Sequence, residues 1–255
     1  LSGAGGDELF AGYPWRYFRP GQSPDMETYI RRYYGYWQRL LDEPAIKRLF
    51  QPWLLSECSG YRTIDVFKNV LHNEKTIPGS PVDYINKSLY FEIKTFLHGL
   101  FLVEDKLSMA NGVETRVPFM DNDLVDFASR VPVRFKLNNL AKNLSVDENL
   151  PGPQRMVYQT GDGKMILRKA LSRYVPESII NQKKQGFSAP DASWFKGESI
   201  DYIRDLLLTN RAKINDFFEP AVTRQLIEEH VRGEENHRLL IWSLLSFEWW
   251  CRLFL

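Results

Sequence analysis

Cysteine is scarce in this chain: Cys58 and Cys251 are the two among 255 residues. That excludes a dense disulfide scaffold and leaves two reduced, buried thiols as the expectation. A charge excess is missing as well, since 33 basic residues face 32 acidic ones for a net charge of +1. The electrostatic footprint of a non-specific nucleic-acid binder is therefore absent, and no nucleic-acid partner is expected. No uninterrupted apolar run reaches about 18 residues, so neither an ordinary transmembrane helix nor a membrane partner is expected. Nothing near Leu1 reads as a signal peptide, and the expected location is the cytoplasm. No period-two strand run, internal repeat, heptad array or zinc-ligand spacing stands out.

Aromatic residues and helical periodicity are plentiful. Aromatics make up 14% of the chain, including seven Trp and twelve Tyr, which predicts thick aromatic packing between helices or an interface. From Asp25 to Leu55, Met26, Tyr29, Tyr33, Tyr36, Trp37, Leu40 and Leu41 recur at helical spacing, with Asp42-Glu43-Pro44 separating two helices. Pro14 and the segment Arg19 to Pro24 read as breakers of an opening helix. Asp83 to Asp105 carries an apolar face so broad that burial on more than one side is expected, with Gly99 as a weak point. Asp121 reads as the N-cap of a short helix that Pro132 stops. Residues 137–163, rich in Asn, Gly and Pro, read as a long flexible loop, a lid or an insert. A helix is expected over 164–174, and further helices at about 191–196, 199–209, 216–232 and 235–254.

Three segments could carry chemistry. In Ser2-Gly3-Ala4-Gly5-Gly6-Asp7-Glu8, Gly3, Gly5 and Gly6 let the backbone approach a ligand closely. Successive amides at such a turn can cradle an anion, with Asp7 sharing a magnesium ion with a phosphate. The same residues also suit a plain tight turn with Asp7 or Glu8 capping a helix. The second segment, Glu104 to Asp121, mixes charges with apolar residues at no regular period. This pattern suggests paired, partly buried ions, among them Glu114 and Arg116. In the third, Lys183 and Lys184 precede the turn at Gly186 and could meet phosphate oxygens or form a solvated pair. His72, His98, His230 and His237 form no metal motif.

Together these segments resemble the synthetase domain of the glutamine-hydrolysing asparagine synthetases, the asparagine synthase family. Leu1 to Tyr13 match the family's Leu-Ser-Gly-x-Gly-x-Asp-Glu-Leu-Phe-x-Gly-Tyr pattern. Asp105, Ser108-Met109, Glu114, Arg116, Pro118-Phe119 and Asp121 match a later block, with Met120 where the family has Leu. Lys164 to Ala170 match a helix start, and Lys184, Gly186, Phe187 and Pro190 match a loop, with Trp194 following. The resemblance implies a mainly α chain. It would be the helical C-terminal portion of an α/β adenine-nucleotide alpha-hydrolase-like (PP-loop ATP pyrophosphatase) domain whose parallel-sheet core lies upstream. Residues 1–255 then read as a single fragment, inactive alone.

The implied chemistry is ATP-dependent adenylation of a carboxylate, then attack by ammonia from an upstream glutaminase domain. ATP and Mg2+ are the implied cofactors and a small-molecule carboxylate the implied substrate, with a homodimer among the expected assemblies. Asp7 resembles the acidic group near magnesium-pyrophosphate and Lys184 the lysine that stabilises the leaving group. Gly3, Gly5 and Gly6 lie beside the nucleotide, and Glu8, Asp105, Glu114, Arg116 and Asp121 are expected as an ion-pair scaffold behind the pocket.

The chain departs from the family pattern in several places. It holds no Ser-Gly-Gly-x-Asp-Ser loop, and neither Cys58 nor Cys251 inherits the glutaminase nucleophile. Ala4 stands where asparagine synthetases usually carry Glu near the amino-acid substrate, which favours amidation of another carboxylate. Residues 137–163 form a longer connection than is usual. A β-lactam-synthetase-like cyclase and a non-catalytic helical interaction module are the alternative readings.

Overall fold

The computed structural model describes residues 1–72, 79–141, 161–182, 195–197 and 199–255. Its helices are, in chain order, α1 (Gly6–Leu9), α2 (Pro14–Gly21), α3 (Met26–Trp37), α4 (Glu43–Leu49), α5 (Pro52–Glu57), α6 (Thr63–His72), α7 (Pro81–Glu92) and α8 (His98–Ala110). There follow α9 (Asn122–Arg130), α10 (Val133–Lys136), α11 (Met165–Leu171), α12 (Glu177–Ile180), α13 (Ser199–Leu207), α14 (Pro220–Arg232) and α15 (Arg238–Phe254). Among the described residues there is no strand, and one isolated antiparallel bridge joins Phe50 to Phe218. The expectation of a mainly helical chain is met. None of the described helices is long and apolar enough to cross a membrane. Packing sorts the described residues into two compact units. The first draws on 1–34, 64–72, 79–141 and 161–182, the second on 35–63, 195–197 and 199–255.

Local chemistry starts several of these helices. The Asp42 carboxylate accepts from the Ala45 amide at 2.9 Å, and the Asp121 carboxylate accepts from the Leu124 amide at 3.1 Å. Pro44 and Pro81 sit in the first turns of α4 and α7, where the missing amide proton costs nothing. Pro14 does the same for α2 and opens that helix rather than breaking it. Pro20 lies in the last turn of α2, too late to interrupt it.

In the first unit, α2 packs on α7, with Tyr17 and Phe18 against Ile85 and Leu89 and with Val133 and Leu137 closing the cluster. Tyr29, Tyr33 and Tyr84 form a stacked series, with centroids 5.6 Å and 4.9 Å apart, and Tyr33 meets Phe67 and Phe91 edge-on. The predicted aromatic packing is thus present. Buried tyrosines need partners for their hydroxyls. Tyr29 shares a hydrogen bond with Ser88 at 3.0 Å, while Tyr17 and Tyr33 donate to the Glu92 carboxylate at 2.7 and 3.2 Å.

The long helical run continues past α7 through a π-helical stretch, Ile93–Leu97, into α8. There the hydroxyl of Thr95 donates to the Phe91 carbonyl at 2.7 Å. No residue of α8 is buried, and Leu102, Val103 and Leu107 are 54%, 57% and 63% exposed. The expected burial on more than one side is therefore met in α7, where Tyr84, Ile85, Lys87, Ser88, Leu89, Phe91 and Glu92 are buried, but not in α8. Periodicity identifies an apolar face, but a covering element must come from elsewhere, and none of the described residues supplies one. Gly99 sits inside α8 with nothing near it, neither a break nor a close contact.

In the second unit, α13, α14 and α15 enclose a core of Ile203, Leu207, Ile214, Ile227, Ile241 and Leu244. Leu49 joins it as the Leu49 carbonyl accepts from the Glu219 amide at 2.7 Å. Glu248, fully buried on α15, accepts from the Ile214 amide at 2.9 Å and from Arg252 at 2.5 Å. Gly233, with φ of 79°, ends α14 and so places His230 and His237 on separate elements. Both cysteines are free as expected, but Cys58 is exposed whereas Cys251 is buried. Of the stretch 137–163, residues 142–160 lie outside the described residues; at its edges the Asn138 amide donates to the Asp162 carbonyl at 2.8 Å.

Glu92 has the least comfortable position in the first unit. Burial pushes its carboxyl up to about 7, against the opposing pull of Arg16 and of the Tyr17 and Tyr33 hydroxyls. The folded protein therefore holds a proton there that the unfolded chain has released above pH 4.5. Stability falls as pH rises through that window, by on the order of 3 kcal/mol in all. A Glu92→Gln substitution removes this slope. Melting temperatures taken between pH 5 and pH 8 should fall more steeply for the wild type than for the variant; parallel curves would contradict the assignment.

Candidate active site

The opening glycine turn is built as a bracket. Gly5 has φ of 91°, and the Leu9 amide donates to its carbonyl at 2.9 Å, starting α1. A Cβ on Gly5 would lie 2.8 Å from Met120 Sδ, and one on Gly6 would lie 3.1 Å from the Phe119 ring. The segment Pro118–Met120 therefore packs where the turn lacks side chains, and the Met in place of the family Leu fills that space. The Ser2 amide donates to the Arg116 carbonyl at 2.8 Å, and the Ala4 amide to Ser2 Oγ at 3.2 Å. Gly3 is exposed, and a Cβ there would meet nothing within 4 Å. The first two sequence blocks thus meet, through backbone and apolar contacts.

Asp7 stands on α1 with its Oδ1 2.8 Å from Lys164 Nζ; the two side chains are 17% and 25% exposed. Lys164 precedes α11 in the left-handed region, with φ of 57°, and its amide donates to the Phe10 carbonyl at 2.9 Å. Ala11 is also left-handed, with φ of 55°, and the Gly12 amide donates to the Asp7 carbonyl at 2.7 Å. Two non-glycine residues in this region mark a locally strained crossing held by its surroundings. A Cβ on Gly12 would overlap Asp7 Oδ1 and come within 2.6 Å of Lys164 Cε. A Cβ on Gly163 would overlap the Ala11 carbonyl. Two glycines far apart in sequence thus let the chains cross closely enough for the ion pair to form.

Beside this pair lies a buried charge cluster. Glu8 is buried; desolvation raises its pKa and the Asp7 charge adds to this, while its own backbone amide, Arg16 and Tyr13 oppose the rise. The Arg16 guanidinium lies 3.8 Å over the Tyr13 ring, 4.6 Å from the Phe96 ring and 3.6 Å from the Glu92 carboxylate. Burial, then the Asp7 and Glu8 charges, raises the Tyr13 hydroxyl far above its usual range. Glu8 is thus enclosed on α1 beside Asp7.

The other expected scaffold residues lie elsewhere. Glu114 and Arg116 pair at 3.0 Å, but both side chains are 69% exposed. Asp105 is exposed, and the Asp121 carboxylate caps α9. The expected partial burial of these ions is corrected: only Phe119 and Met120 of their segment pack on the glycine turn, while Leu107, Met109 and Val113 share the solvent-facing surface with the charges. Lys184, with Lys183, Gly186, Phe187, Pro190 and Trp194, lies outside the described residues.

Sequence reasoning placed Lys164 at a helix start and missed its pairing with Asp7. The available signal was Gly161-Asp162-Gly163-Lys164, a lysine directly after a glycine that packing requires. Arg16, Tyr13 and Glu92 were missed because no motif joins them.

Among the described residues no cluster of three or more metal-ligating side chains occurs. One carboxylate beside an open glycine turn fits magnesium, which is commonly held by one or two carboxylates plus phosphate oxygens. The bracket makes a sharp prediction about stability. Gly163→Ala and Gly12→Ala should each cost about 2 kcal/mol or more, through overlap with backbone and with the ion pair. Gly3→Ala should cost less than about 0.5 kcal/mol. Urea unfolding of the three variants checks this, and equal costs would contradict the crossing.

The asparagine synthase family model matches residues 1–252. The chain is 32% identical over 167 residues to asparagine synthetase (glutamine-hydrolyzing) 1 of Bacillus subtilis, covering 65% of this chain and 23% of that protein. It is 24% identical over 245 residues to asparagine synthetase (glutamine-hydrolyzing) 3 of the same organism, covering 95% of this chain and 34% of that protein. A putative asparagine synthetase of Mycobacterium tuberculosis is 27% identical over 174 residues, 68% of this chain and 23% of that protein. The chain thus spans about a quarter to a third of the length of these relatives. With the glycine turn, its acidic residue and the segment packed on it matched within one family over nearly the whole chain, this chain belongs to the asparagine synthase family.

Proposed function

We propose that the chain is part of an ATP-dependent amidotransferase that adenylates a carboxylate and forms an amide with ammonia released from glutamine by a glutaminase domain. The observation that carries this reading is Asp7, held by the glycine turn and braced by Lys164 at 2.8 Å. Family membership supports the reaction class, and the names of the relatives, glutamine-hydrolysing asparagine synthetases, support glutamine as nitrogen donor. In the first step a carboxylate oxygen attacks the α-phosphorus of ATP, and the bond to the β-phosphate oxygen breaks as pyrophosphate leaves with the electron pair. In the second, the ammonia lone pair attacks the acyl carbon, a proton is lost, and AMP departs.

The residues of this chain serve the first step. Gly3, Gly5 and Gly6 let the turn approach the phosphates. Asp7 would hold magnesium, which when bound neutralises charge on the leaving pyrophosphate. Lys184 would meet the same leaving group as a compact cation. Glu8 stays behind the turn, held with Arg16 and Tyr13. The turn belongs, on this reading, at the C-terminal edge of a parallel α/β nucleotide-binding core of PP-loop type.

Ala4 offers neither a proton nor a side-chain hydrogen bond, so the reading favours a carboxylate other than aspartate. Neither the cyclase nor the interaction-module reading is favoured by the asparagine synthetase relatives. The test is pyrophosphate release by the full-length protein with ATP, magnesium and glutamine or ammonia against a panel of carboxylates. Release that depends on one carboxylate is expected, with Asp7→Asn slowing it at least about a hundredfold. Amide formation from aspartate would restore the ordinary substrate, and no release with any carboxylate would contradict the ligase reading.

A further inference from the structure

We propose that Lys164 makes the Asp7 site selective for metal-bound pyrophosphate over the bare metal ion, acting as a positioning residue on the Asp7 carboxylate. This rests on the reading of Asp7 as the magnesium–pyrophosphate ligand. The argument starts from charge. An ammonium 2.8 Å from Asp7 Oδ1 repels a second cation arriving at the same carboxylate. It attracts a pyrophosphate oxyanion, so a metal ion that arrives with its phosphates meets net attraction where the bare ion meets repulsion. Among the described residues no group of three or more metal-ligating side chains occurs, so none of them forms a ready-made cage for bare magnesium.

The geometry keeps the ammonium in place. Lys164 is fixed in the left-handed region, and its amide donates to the Phe10 carbonyl at 2.9 Å. Its stem passes Gly12 so closely that a Cβ there would lie 2.6 Å from Lys164 Cε. Gly163, the preceding residue, is pressed against the Ala11 carbonyl where no side chain fits. A solvated surface lysine has no need of two side-chain-free neighbours and a strained backbone. Lys164 is thus bound to one end of α1 through Phe10 and to the other through Asp7, so its removal alters both the charge and the aim of that carboxylate.

The test is calorimetric titration of the full-length protein with magnesium alone and with magnesium plus inorganic pyrophosphate, which reads binding without turnover. Wild type should bind magnesium pyrophosphate, with Asp7→Asn abolishing it. In Lys164→Met, affinity for bare magnesium should rise about tenfold and affinity for magnesium pyrophosphate should fall about tenfold or more. A merely structural role weakens both, so opposite signs are the signature. Lys164→Arg should keep the wild-type order. If the Met variant does not fold, Lys164→Gly, which suits the left-handed backbone, must show the same two shifts. Shifts of the same sign, or none, overturn the inference while the ligase reading stands. Failure of the wild type to bind magnesium pyrophosphate overturns that reading and this inference with it.

Discussion

The contact on which the first unit depends is the ion pair between Asp7 and Lys164. Its strength alone does not explain that importance, because a pair 17% and 25% exposed is partly screened by water. What matters is the number of separate features that must agree for it to exist. Gly5 turns the chain with positive φ, α1 lifts Asp7, and Ala11 turns the chain back. Gly12 leaves room for the carboxylate, Gly163 for the crossing, and Lys164 adopts a backbone conformation that a lysine rarely takes. Each would be mildly unfavourable alone. Together they fix one acidic oxygen beside one ammonium at the edge of an open glycine turn.

Behind that contact the chain concentrates charge in the interior. Arg16, Glu8 and Glu92 are all buried, with Tyr13, Tyr17 and Tyr33 supplying hydroxyls and a ring face. Buried ions of this kind seldom add net stability, because desolvation offsets their attraction. The raised carboxyls of Glu8 and Glu92 are the direct sign of that cost. What the cluster supplies is direction: α2 cannot slide along α7 without leaving Arg16 or Glu92 unpartnered. The turn carrying Asp7 leads directly into α2 and so inherits a fixed origin.

Much of this was legible in the sequence wherever the determining physics is local. Pro44 and Asp121 announced their helices because a first-turn proline and an N-cap need only the next few residues. The glycine turn was recognisable because three glycines and an acid stand side by side. Pro14 was misread because proline both breaks helix interiors and opens first turns, and only the following packing decides which. The Asp7–Lys164 contact was not legible, since nothing local links residues so far apart. Glu92 carries no local signal either, since Tyr17, Tyr33 and Arg16 reach it from distant parts of the chain. The α8 face marks the same limit: spacing shows that Leu102, Val103 and Leu107 share an apolar surface, but not what covers it. The role expected of Lys184 falls outside the described residues.

The central claim is that the energies of Asp7 and Lys164 are coupled, with the surrounding glycines serving that coupling. A double-mutant cycle on Asp7→Asn and Lys164→Met, read by urea unfolding, measures this directly. The account predicts a coupling of about 1 kcal/mol or more, above what an exposed pair usually gives. Additivity within about 0.3 kcal/mol would mean that the two groups merely lie side by side, and would contradict it.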